Sequence, residues 1–304
     1  MSIEVHILGS SSATPVFDRH PTAQLVKVLS HHFLVDCGEG TQMQLSRYRH
    51  KAAKISHIFI SHLHGDHYLG LVGLLSTMNL HGRKNPLYLF CPPGLVEIIT
   101  IQLKYSESIL NFAIKVVELN TEGVENLLDN DQYKVDYFPL SHRIPCYGFK
   151  FTLKKGPRKI IKEKLPEGIT LLEIAYLKKG QDLLDEAGNI VLKNSDVTTE
   201  PNPEISYAFC SDTCYMPELA HWLQGTSLLY HESTFDNEFS DRATHTYHST
   251  AAQAAQVAKD MNVRQLILGH FSARYKDLKP LLEEAKQIFP NSVLGIEGQT
   301  FYAH

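Results

Sequence analysis

No run of eighteen apolar residues occurs in the 304-residue sequence, so no segment of it reads as a membrane-crossing helix. The N-terminus, Met1-Ser2-Ile3-Glu4-Val5-His6, lacks the basic cap and apolar stretch of a secretory signal, and the expectation is a soluble, cytoplasmic protein with no membrane partner. Cysteine is scarce and odd in number: Cys37, Cys91, Cys146, Cys210 and Cys214 are scattered and form no C-x-x-C pair, which suits a reducing compartment rather than a disulfide framework. Glycine and proline are few, at 18 and 14, and no repeat or low-complexity tract is visible, so collagenous and disordered classes are excluded. A net charge of −4 gives no general attraction to nucleic acid or anionic membrane. With 43% hydrophobic and 20% charged residues the chain can bury a sizeable core, and its length fits one large domain or two small ones.

Histidine is in excess. Imidazole fills cores poorly but ligates metals and carries protons near neutral pH, so the placement of the 17 histidines decides their use. Apolar and alternating runs predict strands over 3–8, 23–28, 32–35, 55–60, 87–90, 113–119, 133–140, 147–153, 206–210, 227–231, 265–268 and 292–294. Helices are expected from 41 to about 49 and over 69–80, 94–106, 216–223, 249–261 and 277–288, with a hydroxyl cap at Ser249 and a stop at Pro290. Many strands with helices between and after them indicate an α/β architecture, with the strand pairing left open.

One stretch departs from this grammar. Residues 150–179 hold nine basic side chains against Glu163, Glu167 and Glu173, and residues 181–204 hold six acids against Lys193. Such an excursion is either a solvated surface insertion or a basic arm for a polyanion.

Chemistry concentrates in His62-Leu63-His64-Gly65-Asp66-His67, directly after the strand expected over 55–60. Four ligand-type side chains in six residues cannot share a helix face, but a tight loop can turn them toward one point, and imidazole with carboxylate suits zinc or a similar borderline metal. His142, Asp212 and His270 each follow a predicted strand, and neighbouring strand ends converge on one sheet edge. Seven ligands exceed what one tetrahedral ion needs, so a two-metal site is the economical reading.

The H-x-H-x-D-H signature with later His, Asp and His ligands resembles the metallo-β-lactamase fold superfamily. Within it the chain is similar to the ribonuclease Z family, the endonucleases that remove 3′ trailers from precursor tRNA, and the resemblance spans nearly the whole chain. It is carried by Leu8-Gly9-Ser10-Ser11-Ser12-Ala13-Thr14-Pro15, Asp36-Cys37-Gly38-Glu39-Gly40-Thr41-Gln42, Phe209-Cys210-Ser211-Asp212-Thr213, His231-Glu232-Ser233-Thr234-Phe235, His248-Ser249-Thr250 and Gly269-His270-Phe271-Ser272-Ala273-Arg274-Tyr275. The resemblance implies one αββα sandwich domain over residues 1–304 with a protruding, flexible tRNA-binding arm at about 154–180. It implies two zinc ions per subunit, with manganese as the other metal to consider: His62, His64 and His142 on one, Asp66, His67 and His270 on the other, Asp212 between them, and Asp36 orienting ligands from behind. It also implies a homodimer in which the arm of one subunit serves the site of the other. The Gly- and Pro-rich turn usual in the bacterial arm is here reduced to Gly156-Pro157 and Leu165-Pro166-Glu167-Gly168.

Asp66, two residues after His64 in the same loop, is placed to take or hold the proton of the attacking water. Chemistry and resemblance together make His248 the general acid, Glu232 its orienting carboxylate, and Ser272 and Arg274 phosphate ligands. Lys155, Arg158, Lys159, Lys162 and Lys164 are the expected contacts to the tRNA backbone. His231, in a strand before Glu232, reads as structural, and Cys210 and Cys214 are not expected as ligands. Two other functions use the same residues: a zinc phosphodiesterase for small or cyclic nucleotide esters, for which a basic arm is superfluous, and an inactive metal-stabilised RNA-binding subunit, which should have lost a ligand or the acid.

Overall fold

A computed structural model of the chain describes residues 2–16 and 18–304. Its central strands bury both faces. Along neighbouring strands Val26, Phe33 and Phe59 enter one apolar cluster, while the alternate residues Leu25, Leu34 and Ile58 enter another, as a period-two chain between two covered faces requires. The first of these clusters lies between two sheets, where Phe33, Phe59 and Phe90 meet Phe149, Phe151, Tyr207, Phe209 and Tyr230. The second packs the first sheet against helices Thr41–Arg47, Leu71–Leu80 and Leu95–Tyr105. A third packs the other sheet against Ala251–Asp260 and Lys279–Ile288. The layers are therefore helix, sheet, sheet, helix, the expected αββα sandwich. Each fully buried Phe between the sheets contributes about 2–3 kcal/mol.

Among the described residues the first sheet has seven strands in the order Thr300–Ala303, Ile3–Gly9, Ala23–Val28, His31–Val35, Ile55–Phe59, Leu87–Cys91 and Ile114–Glu118. Its first three pairings are antiparallel and the rest parallel. The second sheet, also of seven, runs Ser292–Leu294, Gln265–Gly269, Leu228–Glu232, Ile205–Cys210, Cys146–Leu153, Tyr133–Leu140 and Glu125–Asp129. Here the first three pairings are parallel and the rest antiparallel.

Some expected elements shift. The helix expected over 69–80 starts at Leu71, after a separate helical turn Gly65–Tyr68 that carries Asp66 and His67, so that pair does not sit in an open loop. Gly70 divides the two because its backbone approaches Gly38: a Cβ there would lie 2.1 Å from the Gly38 carbonyl oxygen. The cap of Ala251–Asp260 is Thr250 rather than Ser249; its hydroxyl accepts from Gln253 N at 3.2 Å and its own N–H donates to the Gln253 side chain at 2.9 Å.

The charged excursion leaves the second sheet after Leu153 and returns at Ile205, two residues that pair directly across the sheet. The sequence reading ends it near residue 180, but the acidic stretch folds back on the basic one. Lys159–Ile160 pairs with Thr198–Thr199, Arg158 bonds Thr198 and Glu200, and Leu177 and Val197 are buried. Helix Leu171–Lys178 is closed by a reciprocal cap between Thr170 and Glu173.

Candidate metal centre and active site

The carboxyl ends of strands from both sheets face one edge and deliver the candidate residues there. His31–Val35 ends on Asp36, Ile55–Phe59 runs into His62 and His64, Tyr133–Leu140 leads to His142, Ile205–Cys210 to Asp212, and Gln265–Gly269 to His270. The ligand atoms of His62, His64, His142 and Asp212 lie within 4.8 Å of one another, as do those of Asp66, His67 and His270, and those of Asp212, His248 and His270. Asp212 divides its oxygens. Oδ2 lies 3.5 Å from His62 Nε2, while Oδ1 lies 3.4 Å from His67 Nε2 and 3.2 Å from His270 Nε2.

Partners on the outer side fix how each ring is presented. Asp36 accepts from His67 Nδ1 at 2.7 Å and from the Ser61 N–H and hydroxyl at 2.7 and 2.9 Å. His62 Nδ1 meets Ser61 Oγ at 3.0 Å, His142 Nδ1 donates to the Tyr247 carbonyl at 2.9 Å, and His270 Nδ1 meets Thr234 Oγ1 at 2.9 Å. In all four rings Nε2 is thereby left facing the cluster. His64 turns the other way, with Nδ1 3.0 and 3.1 Å from the Nε2 atoms of His62 and His142. His67 Nε2 is buried and makes no hydrogen bond among the described residues, although carboxylate oxygens of Asp66 and Asp212 lie 3.3 and 3.4 Å away. Imidazole nitrogens and carboxylates packed this closely, with nothing of the protein between them, form the donor set of a divalent metal site, and the residues fit the ion that the sequence implies.

The titration of the cluster agrees. Burial opposes a charge on His67, but Asp212, Asp66 and Asp36 around it outweigh burial and hold its pKa well above the usual imidazole value. Burial likewise opposes ionisation of Asp66 and Asp212, and the surrounding histidines reverse it, keeping both carboxyls well below their ordinary range. A proton on His67 stands where a metal ion would replace it. Burial lowers His64 and His142 to about 4, which leaves both rings neutral. Three non-glycine residues at the site, Asp36, Tyr247 and His270, hold left-handed φ of 57°, 60° and 58°, a concentration of backbone strain typical of working sites.

Beside the ligands stands a second arrangement. His248 Nδ1 donates to Glu232 Oε1 at 2.9 Å, and Glu232, fully buried, also accepts from the N–H groups of Thr213 and Thr234 at 3.0 and 3.1 Å. Burial works against a charged His248, yet the Glu232 carboxylate more than offsets it and raises the pKa to about 9. The Thr234 hydroxyl donates to Glu232 at 2.7 Å and so ties this pair to His270. Above the cluster opens a cleft of about 490 Å³ lined by His64, Asp66, His142, Arg143, Asp212, Tyr247, His248 and His270.

Comparison with known proteins gives this geometry a family. A family model described as "Anti-Pycsar protein Apyc1" matches residues 3–155. Ribonuclease Z of Cytophaga hutchinsonii is 54% identical over 302 residues, covering 99% of this chain and 96% of its own. The chain belongs to the ribonuclease Z family. Among solved structures, human tRNase Z, short form, superposes with a TM-score of 0.71 at 26% identity, covering 98% of both chains. The metallo-β-lactamase fold protein YhfI from Bacillus subtilis, at 16% identity and a TM-score of 0.70 over 99% of this chain and all of its own, shares the fold. Ribonuclease Z membership makes the chain a metal-dependent endoribonuclease.

The structure brings together His62, His64, Asp66, His67, His142, Asp212, His248 and His270, with Asp36 and Glu232 behind them. Ser272 and Arg274 lie next to each other beyond His270, Arg274 Nε 3.3 Å from Ser272 Oγ and its guanidinium 4.3 Å from the Phe239 ring centroid. The basic residues expected to contact tRNA lie at the opposite end of the sheet from the histidine–aspartate cluster. Lys155 and Arg158 pair with Glu200, and Lys159 bonds Asn202, while Lys162 and Lys164 make no ion pair among the described residues. His231 is buried, with Nδ1 on the Glu232 carbonyl at 2.7 Å, and neither it nor Cys210 or Cys214 joins a ligand group among the described residues. Sequence reading missed Thr234 and Tyr247 as supports of His270 and His142, and Arg143, which donates to His64 Nε2 at 3.0 Å. For Arg143 the available signal was its place directly after the candidate ligand His142.

Proposed function

We propose that the chain removes the 3′ trailer of precursor tRNA by hydrolysing one phosphodiester bond, leaving a 3′-hydroxyl on the tRNA. Asp212 carries the metal part of this reading, because its two oxygens point into two different ligand groups. We assign two ions per subunit, zinc by the donor set: His62, His64 and His142 would hold one, Asp66, His67 and His270 would hold the other, and Asp212 would be shared by both. When bound, such a pair supplies a hydroxide-like nucleophile at neutral pH and stabilises charge on the phosphoryl oxygens.

The protein's own groups do the rest. Asp66 Oδ2, anchored by the Ala13 N–H at 2.8 Å, accepts a hydrogen bond from the attacking water, orienting it and holding its proton. His248, charged through Glu232, donates its proton to the departing 3′-oxygen as the P–O3′ bond breaks. Ser272 and Arg274 hold a phosphate at the His270 end.

The arm supplies grip. From Cys146 to Leu153 the strand spans about 23 Å, so residues 154–204 project from the edge opposite the ligands. An arm so placed reaches the cluster only through a substrate as long as tRNA or through a second copy of the chain, and a homodimer sharing arms across subunits fits that separation. The compartment consistent with this role is the cytoplasm; among the described residues no helix is long and apolar enough to cross a membrane.

The test is gel mapping of a 5′-labelled precursor tRNA cut by the zinc-loaded protein. One cut just after the discriminator nucleotide, leaving a 3′-hydroxyl and vanishing with chelator, is the expected result. No cut by folded, metal-loaded protein would transfer the site to small phosphodiesters and demote the arm to a surface insertion.

A further inference from the structure

The arginines of this chain differ in what holds them. Arg83 gives its N–H groups to the carbonyls of Asn85, Ile55 and Pro86 at 2.8–2.9 Å, and Arg19 reaches the carbonyls of Tyr275 and Ser272 at 3.0 and 3.3 Å. Arg143 is exposed at the mouth of the ligand cleft, and its hydrogen bond among the described residues runs to the ring of His64, with no carboxylate or carbonyl taking the rest of its donors. An arginine placed in a reaction cleft and tied to so little is available to a ligand.

We propose that Arg143 binds a backbone phosphate of the RNA next to the scissile one, at the end of the cluster away from Arg274. This rests on the RNA-cleavage reading of the site. Arg143 adjoins His142 and touches His64 of one candidate ligand group, whereas Arg274 follows His270 of the other and lies over Phe239, so an RNA strand laid across both groups would meet the two guanidiniums in turn. His64 Nε2 takes one Arg143 N–H, and the remaining donors of the planar fork match phosphate oxygens.

The experiment compares wild type, Arg143→Ala and Arg143→Lys on precursor tRNA, with metal content measured for each. KM is expected to rise about tenfold in the alanine variant with kcat within about twofold, since a flanking phosphate is held alike in ground and transition states. Metal content should be unchanged, and lysine should recover part of the loss by keeping the charge without the fork. In parallel, fluorescence anisotropy follows a short RNA spanning the cut on metal-loaded, cleavage-deficient His248→Ala protein, and adding Arg143→Ala should weaken binding about tenfold. If wild type fails to cut precursor tRNA, the RNA-cleavage reading falls, and the anisotropy still decides Arg143: weaker binding upholds it and equal binding overturns it. Unchanged KM and binding, or a fall in metal content matching the fall in activity, would leave Arg143 as a prop for His64 alone.

Discussion

The two ends of the strands Cys146–Leu153 and Ile205–Cys210 are built on opposite principles. At one end lie His142 and Asp212, part of a cluster whose rings are held by buried partners such as Asp36, Ser61 and Thr234. At the other, residues 154–204 form a small exposed unit held by a few buried side chains and by ion pairs with Glu200. Bond breaking needs groups fixed to a fraction of an ångström, which strand ends with hydrogen-bonded neighbours supply. Holding a polyanion needs charge and reach, which an exposed excursion supplies at little cost to the core. On the function proposed above, damage at the first end is expected to stop chemistry on every substrate, and damage at the second to be felt only by long ones.

Substitutions can break this comparison. The largest effect is expected from Asp212→Ala, which removes the carboxylate shared by both ligand groups: bound metal should fall and cleavage should drop by at least about 10³-fold, checked by metal analysis and single-turnover rates. Next comes His248→Ala, for which a loss of about 10²–10⁴ in kcat is expected with metal content intact; loss of metal instead would make His248 a ligand. Glu232→Gln tests the orienting role by pH. Because the carboxylate raises the His248 pKa to about 9, the acid form is complete well below that pH and is lost as pH rises through it. Neutralising Glu232 lowers that pKa, so the alkaline limb of kcat should move to lower pH, and an unmoved limb would separate Glu232 from the proton transfer. Smallest are the arm lysines. Lys162→Ala and Lys164→Ala should each reduce the salt slope of tRNA binding by about 0.7–1, and Lys155→Ala by less, because Glu200 already lies 3.6 Å from its ammonium.

The same contrast governs what the sequence discloses. His62, His64, Asp66 and His67 are legible because their spacing is local, and His142, Asp212 and His270 because each follows an apolar run that is unmistakably a strand. The layer order follows from strands with two buried faces, but strand order does not, since pairing joins distant segments such as Ile3–Gly9 and Thr300–Ala303. Thr300–Ala303 and Glu125–Asp129 escape notice because they are edge strands, partly exposed and weakly patterned. The bond from Arg143 to His64, the Thr234 link and the left-handed backbone at Asp36, Tyr247 and His270 arise from tertiary contacts that no local window contains. Charge counting likewise split the arm in two, because it registers sequence neighbours and not the pairing of Arg158 with Glu200.

The division of labour is tested most directly by deleting residues 154–204. Leu153 and Ile205 pair across the sheet, so a two-residue Asn-Gly turn can join them without disturbing the ligands. The measurement is kcat/KM of this variant and of wild type on precursor tRNA and on bis(p-nitrophenyl) phosphate. A loss of about 10–10² on tRNA with the small ester unchanged is the expected result. Equal loss on both substrates, from protein with normal metal content, would contradict it.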